Sequence, residues 1–286
     1  MALPASGPIS INQVNIELGV AGNTQRSFND AALRTLFAVP SGQISMSNVF
    51  GKSNAPPVTA GSQNFTTPGI SNFIVPAFNT LTVNVWGGGA PGAVSVFGAT
   101  YARTDPSGGT SSFGSYLSAT GGAGTVYTYD PAGGFYLPSS VNAGGNGTGG
   151  DINLSGGSGY AEYNMSIYIG YSYGGAGGGT TYGGGATRIL SGSTDNYPNR
   201  NGYTGNAYGG GGTGASFNDT KYGGSSFAVG GGGGGFARKT FSAGSLTVGS
   251  TISVTVGAGG AYTTDGTVIN THGGSGAPGA VTISWS

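Results

Sequence analysis

Residues able to make or break bonds are scarce in this chain. It has no Cys, one His, and nine Asp plus Glu among 286 residues, so disulfides, thiolate metal sites and a Cys nucleophile are absent. The carboxylates form no recognisable acid/base pair of the kind that cleaves glycosidic bonds. His272, in Thr271-His272-Gly273-Gly274, reads as a solvated loop residue beside the last strand rather than as a base. Four acids (Asp105, Asp130, Asp151, Glu162) lie between Thr104 and Thr187 without a Lys or Arg. No Asp-x-Asp-x-Asp-Gly loop accompanies them, so a calcium site is not expected. The run Gly231–Gly235 is not followed by Gly-Lys-Ser/Thr, which removes a phosphate-loop reading. The sequence points to no enzyme, no catalytic residue, no metal and no cofactor.

Contact chemistry is what the chain carries in quantity. Residues 158–208 are dominated by Tyr, Ser, Gly and Asn, the mixture used by antibody paratopes. Tyr offers a large amphipathic face for two χ angles, while Ser and Asn supply adaptable hydrogen bonds. Such a surface suits carbohydrate, with rings against sugar C–H groups and amides on hydroxyls, and suits a protein loop almost as well. The candidate contact residues are Tyr160, Tyr163, Tyr168, Tyr171, Tyr173, Asp195, Asn196, Tyr197, Arg200 and Tyr203. In the competing reading, several of these rings lie along the glycine-rich segments and merely cover them. Asp195 to Arg200 reads as an exposed tip, because polar turn residues and a Pro interrupt the glycine pattern there.

The elements that must hold these residues are unusual. Glycine supplies 63 of 286 residues, and 46 of them fall within residues 87–235. A flexible linker is a poor account of that zone. Of 16 Tyr, 15 lie between Tyr101 and Tyr222, whereas disordered segments are poor in aromatics. Fixing a Gly costs about 0.5–1 kcal/mol more than fixing an Ala, so order requires compensation from the backbone. Without side chains, neighbouring backbones approach closely and each N–H and C=O can bond to an adjacent segment. The geometry that suits this is the extended helix of three residues per turn, polyglycine II, packed side by side. Glycine runs would then form a bundle, with the interrupting segments as its exposed tips.

The flanks read as β. Leu81, Val83 and Val85 alternate with Thr82, Asn84 and Trp86, and Ile252, Val254 and Val256 alternate with Thr251, Ser253 and Thr255. Ser62–Thr67 and Ile70–Val75 flank the turn signal Pro68-Gly69. Val281, Ile283 and Trp285 repeat the register of the first set. Strands from both ends of 62–286 are expected to pair in an antiparallel β-sandwich, with scaffold strands in 62–86 and 236–286 and a glycine-rich insertion at 87–235.

Residues 1–54 hold five Gly and read as a small α-helical module. Ser10 with Gln13 fits a capping box, and Ile11, Val14 and Leu18 form one stripe ended by Gly19. Ser27 with Asp30 starts a second helix through Leu33, Leu36 and Phe37, stopped by Pro40. A third short segment spans 44–50, and ISINQV and ISMSNV look like two copies of one unit. So short a unit makes a marginal core; it reads as an independent helical domain or, preferably, as a docking module completed by a partner. Residues 55–61 continue the linker that starts at Lys52, stiffened by Pro56-Pro57. The fold class is therefore mainly β, with domains at 1–54 and 62–286.

Composition excludes several functions. Charged residues are 6% of the chain, with nine basic and nine acidic, against about 25% in an ordinary domain. Nucleic-acid binding needs clustered Lys and Arg, and is not expected. No apolar run approaches the ~20 residues of a membrane span, and the MALPASGPIS start lacks a signal peptide's basic and apolar regions. Gly follows no three-residue sequence period, so collagen fails too.

Several blocks carry a family resemblance. GPISINQVNIELG, FNDAALRTL and ISMSNVFGKS resemble an N-terminal segment found in tailed-bacteriophage tail proteins. Thr66–Gly69 through Val83–Gly87, then Gly108–Tyr116, Gly231–Lys239, and Val254–Gly260 with Gly279–Trp285 resemble, in order, the phage glycine-rich tail-fibre domain. Residues 117–229 match in composition alone. The resemblance implies a tail-fibre or tail-tip virion protein, made in the host cytoplasm and not secreted, that acts as a receptor-binding adhesin. Residues 1–54 would dock on other tail proteins through Ile11, Val14, Leu18, Leu33, Leu36 and Phe37. The Tyr-rich loops would bind a host cell-surface glycan or outer-membrane protein. The resemblance also implies a homo-oligomer, a trimer by analogy. The alternatives are a purely structural tail component without receptor contact and, more distantly, a glycine-helix ice- or surface-binding protein.

Overall fold

The computed structural model describes residues 2–54, 58–95, 104–131, 135–138, 141–164, 176–181, 201–215, 226–262 and 272–286. The chain divides into two units, Met1–Thr59 and Ala60–Ser286. Pro56 and Pro57 of the expected spacer lie outside the described residues.

The first unit contains α1 (Ile11–Glu17), α2 (Ala31–Phe37) and a 3-10 turn at Met46–Asn48. The Ser10–Gln13 box forms as read: the Gln13 side chain accepts from Ser10 N–H at 2.7 Å, and Ser10 Oγ accepts from Gln13 N–H. Gly19 ends α1 with φ 73°. The N-cap of α2 is Asp30, whose carboxylate accepts from Ala32 N–H at 2.9 Å, while Ser27 Oγ accepts from Asn29 N–H. The helix stops at Phe37 because Ala38 turns left-handed, before Pro40 is reached. The repeat of ISINQV in ISMSNV is structural, since the Asn48 side chain accepts from Ser45 N–H at 2.8 Å as Gln13 does from Ser10. Leu3, Val14, Leu33, Leu36, Phe37 and Val49 form the core. Leu3 N–H to Lys52 C=O and Gly51 N–H to Pro4 C=O tie the two ends of the unit together.

The second unit contains β1 (Gly61–Phe65), β2 (Gly69–Ile74), β3 (Thr80–Trp86), β4 (Ala93–Ser95), β5 (Ser111–Phe113), β6 (Leu117–Ala119), β7 (Tyr127–Asp130), β8 (Phe135–Pro138), β9 (Val141–Asn142) and β10 (Gly147–Thr148). It continues with β11 (Ile152–Leu154), β12 (Gly159–Asn164), β13 (Ser226–Val229), β14 (Phe236–Ser242), β15 (Thr251–Val256) and β16 (Ala280–Trp285). Two five-stranded sheets form the sandwich, in the orders β1-β16-β3-β14-β11 and β10-β6-β5-β15-β2. All pairings are antiparallel, including β1 with β16 and β2 with β15, so strands from both ends of the unit meet as expected. The alternating residues do what their period dictates: Leu81, Val83 and Val85 are fully buried, facing Phe73, Phe113, Val254 and their neighbours in one core.

Between the sandwich and a small four-stranded sheet (β4-β13-β12-β9) lies a zone that is neither helix nor strand. Two chain segments cross it side by side. One runs from β3 through Gly87–Gly92 into β4, and the other from β13 through Gly230–Gly235 into β14, antiparallel to the first. At about 3.1 Å per residue, six residues of extended helix separate the two sheets by about 19 Å.

Hydrogen bonds in this zone repeat every three residues. Gly230 and Gly233 donate to Tyr160 and Gly157; Gly231 and Gly234 donate to Gly212 and Gly209; Gly232 and Gly235 donate to Ala123 and Thr120. Three further segments donate back, through Gly87 and Ala90, Gly145, and Gly178. One glycine run is thus bonded to six neighbours, as a three-residue-per-turn helix in a packed array must be. The run Gly87–Gly92 behaves likewise: Gly87 and Ala90 donate to Gly235 and Gly232, Gly89 and Gly92 to Ala277 and Gly274, and Gly88 to Gly109. None of the glycines from 230 to 235 has a positive φ, so glycine is required here for space. A Cβ on Gly234 would overlap the carbonyl oxygen of Gly87, and one on Gly231 that of Ala90.

The boundaries of scaffold and insertion differ from those read in the sequence. Strands β5, β6, β10 and β11, all within 87–235, belong to the sandwich. Conversely, residues 257–260 and 272–279 belong to the bundle. The reason is directional. Where successive runs alternate in sense, the interruptions between them fall by turns at the sandwich end and at the far end.

Candidate functional site

The far end of the bundle is where the described contact residues gather. Tyr160 lies on β12, where its C=O accepts from Gly230 N–H at 3.0 Å and its ring is 62% exposed. Tyr203 is 55% exposed, its backbone pinned by Thr213 on both sides: Thr213 Oγ1 accepts from Tyr203 N–H at 2.7 Å, and Thr213 N–H donates to Tyr203 C=O. Thr213 itself is buried, so this anchor is shielded from solvent.

Beside Tyr203 is a group that sequence reasoning did not assemble. Tyr262 and His272 stack with centroids 3.7 Å apart and planes at 11°. His272 Nδ1 is 2.9 Å from the Gly273 carbonyl; a carbonyl can only accept, so a proton on Nδ1 satisfies this contact. The backbone locks the pair onto the neighbouring run: Gly202 N–H donates to His272 C=O at 2.8 Å, and Asn201 Oδ1 accepts from His272 N–H at 3.1 Å. His272 lies outside helix and strand, as read, but it is half-buried, with its ring stacked on Tyr262 and its backbone bonded to the neighbouring run. No local signal links positions 262 and 272, because they meet only when one run leaves the bundle and the next returns.

Beneath this end lies a buried polar layer. Asp105 and Thr125 are buried, and the Tyr127 hydroxyl donates to the Asp105 carboxylate at 3.3 Å. Asn142 Nδ2 donates to Thr125 Oγ1 at 2.7 Å and to Gly230 C=O at 2.8 Å, fixing β9 to the central run. At the opposite end, Trp86, Tyr208 and Phe236 cluster where the bundle meets the sandwich, and Trp86 Nε1 donates to Thr181 C=O at 2.7 Å. Tyr127, packed with Ala93 and Val229, and Tyr208, packed on Trp86, are not among the candidate contact residues. The candidates Tyr160 and Tyr203 are exposed and do not merely cover the bundle.

Of the other candidates, Tyr163 sits on β12 opposite Phe227. Tyr168, Tyr171, Tyr173, Asp195, Asn196, Tyr197 and Arg200 lie outside the described residues. Asn164 and Ala176, which bracket the first of those groups, both lie on segments bonded at the far end. Among the described residues no group of three or more His, Cys, Asp or Glu could hold a metal ion, and no helix is long and apolar enough to cross a membrane.

In the first unit the expected docking stripe is largely internal. Val14, Leu33, Leu36 and Phe37 are buried in the unit's own core and Leu18 packs against it, leaving Ile11 exposed. The stripe faces inward because two short helices have no other apolar surface on which to close. Ile16, Phe28 and Met46, which the pattern did not single out, are exposed instead. Asn15 is fully buried; its amide donates to Gly22 and Thr24 carbonyls at 2.9 and 2.8 Å and accepts from Arg26, which pairs with Asp30 at 2.7 Å. Burial opposes ionisation of Glu17, yet its carboxyl is held below its usual value, with the Asn54 N–H at 2.7 Å and the Ser53 hydroxyl among the groups that lower it. Asp30 is held low chiefly by the Ala32 N–H, with Arg26 adding to it.

No family model and no curated protein matches the chain.

Proposed function

We propose that this protein is a tail-fibre or tail-tip component of a tailed bacteriophage that attaches the particle to its host, without catalysing a reaction. The observation that carries this reading is the bundle itself, a stack of backbone-bonded glycine helices whose far end, remote from the sandwich, presents exposed aromatic rings. A rigid support of this kind lets Tyr160, Tyr203 and the Tyr262–His272 pair meet a ligand with little ordering cost. The flat stacked rings, with Asn201 beside them, suit the C–H faces and hydroxyls of a host glycan, and a protein loop of an outer-membrane protein would fit the same surface. In this reading residues 1–54 fasten the chain to neighbouring tail proteins through the exposed side chains Ile11, Ile16, Phe28 and Met46, and a virion location follows.

The test is binding of the labelled full chain to host cells and to a glycan array. Tyr160→Ala combined with Tyr203→Ala is expected to weaken binding about tenfold or more, as for aromatic anchors in other interfaces, without lowering the melting temperature. Exchange of residues 158–208 between related particles is expected to change host range while assembly proceeds. Unchanged binding by the double variant, with those rings protected in intact particles, would favour a purely structural tail component.

A further inference from the structure

Among the described residues, β2 ends one sheet of the sandwich, bonded to β15 on one side. Val75 N–H donates to Ser250 C=O, and Gly249 N–H donates to Val75 C=O, which fixes the alternation. Odd-numbered residues of β2 point their backbone groups at β15, so Ile70, Asn72 and Ile74 point theirs outward along the edge. Natural edge strands are protected by charge, proline or a bulge. This one has a proline beyond each end, Pro68 and Pro76, but no charge along its own stretch of chain: none occurs in the sequence between Lys52 and Arg103. It also carries the exposed side chains Ile70 and Ile74, at 77% and 66% exposure.

The edge is self-complementary. Pro68 and Pro76 are equidistant from Asn72, as are Ile70 and Ile74. Laid antiparallel on a second copy about a two-fold axis at Asn72, the strand places Ile70 opposite Ile74 of the other copy and Asn72 opposite Asn72. Each facing pair then consists of residues whose N–H and C=O are turned outward, and each pair exchanges both bonds. The isoleucines meet across the axis on one face, as cross-strand pairs do. The ladder ends at Pro68 facing Pro76, which lack the N–H to extend it. The edge β11 of the other sheet offers no such match: it is short and Asp151 caps its start, accepting from Thr240 N–H.

We infer that β2 is a homodimer interface, in which the sheets of two copies of this chain join edge to edge about Asn72 with isologous symmetry. The partner is a second copy because proline limits, apolar pair and outward bonding groups share one centre, which a foreign strand has no reason to match. This assembly is two-fold, unlike the trimer implied by the family resemblance.

Sedimentation of the full chain tests it. The wild-type protein is expected at about twice 27.8 kDa at tens of micromolar, and Ile70→Lys with Ile74→Lys at the monomer mass with an unchanged far-UV spectrum. Should that variant misfold, Asn72→Pro removes an outward N–H at an edge position that tolerates proline, and its expected mass is again the monomer's. Because the chain has no Cys, Asn72→Cys reports on the axis alone: a short bis-maleimide is expected to link most of it into dimers, and to leave Ser115→Cys, an exposed turn position, monomeric. A monomeric or trimeric wild type, a dimer that survives both edge variants, or equal linking at the two positions would overturn the inference.

Discussion

Sandwich and bundle occupy one unit yet are held together by opposite means. In the sandwich, side chains do the packing: Leu81, Val83, Val85 and Phe113 are each fully buried against apolar neighbours. In the bundle there are almost no side chains to bury, and carbonyl and amide groups of adjacent runs fill the space instead. A core of side chains can re-pack around a changed shape. A core of backbone has no rotamers to adjust, so its tolerance for added atoms is far lower.

The largest expected effect follows from that contrast. Gly234→Ala directs a methyl group at the Gly87 carbonyl oxygen, and since backbone must move to admit it, the cost is about 3 kcal/mol or more. Val83→Ile, which also adds one carbon to a fully buried position, is expected to cost about 1–2 kcal/mol, because neighbouring side chains can shift to admit it. Both Trp residues, Trp86 and Trp285, lie in this unit, so denaturation followed by Trp fluorescence compares the two variants directly. Equal losses would mean that the bundle yields as a side-chain core does.

A second glycine class sharpens the point. Gly244 has φ 80° and nothing within 4 Å of its missing Cβ. Gly244→Ala is expected to cost only about 1–2 kcal/mol, from the left-handed conformation alone. The same residue type thus answers a conformational need at position 244 and a need for space at position 234.

The smallest effect concerns the first unit. Glu17 and Asp30 are both held below the usual carboxylate range. A depressed folded pKa stabilises the fold above the unfolded value and ceases to do so as pH falls through the folded one. Acidification below about pH 4 is therefore expected to weaken this unit, seen as loss of helical circular dichroism, while Trp fluorescence from the second unit changes less. Simultaneous loss of both signals would sink the assignment.

Much of this architecture is legible in the amino-acid pattern. The period of Leu81, Val83 and Val85 and of Ile252, Val254 and Val256 announces the two sheets, and Ser10 with Gln13 announces the first helix. Strands β5, β6, β10 and β11 escape because two or three residues are too few to display a period. The docking stripe Val14, Leu33, Leu36 and Phe37 is visible as apolar, but its direction is not: a pattern gives a face and leaves open whether the same chain covers it. Ile16, Phe28 and Met46 fall outside that pattern, so nothing in it marks them as exposed.

The chemistry of each part is written in its residues: a zone without side chains must satisfy its backbone laterally, and alternating apolar residues must face a core. Folding in three dimensions settles the rest, namely which runs are neighbours, which interruptions return to the sandwich, and that Tyr262 meets His272 beside Tyr203. Glycine runs are interchangeable in composition. Their pairing is set by chain direction and by the lengths of the segments between them, and neither is encoded locally in any one run.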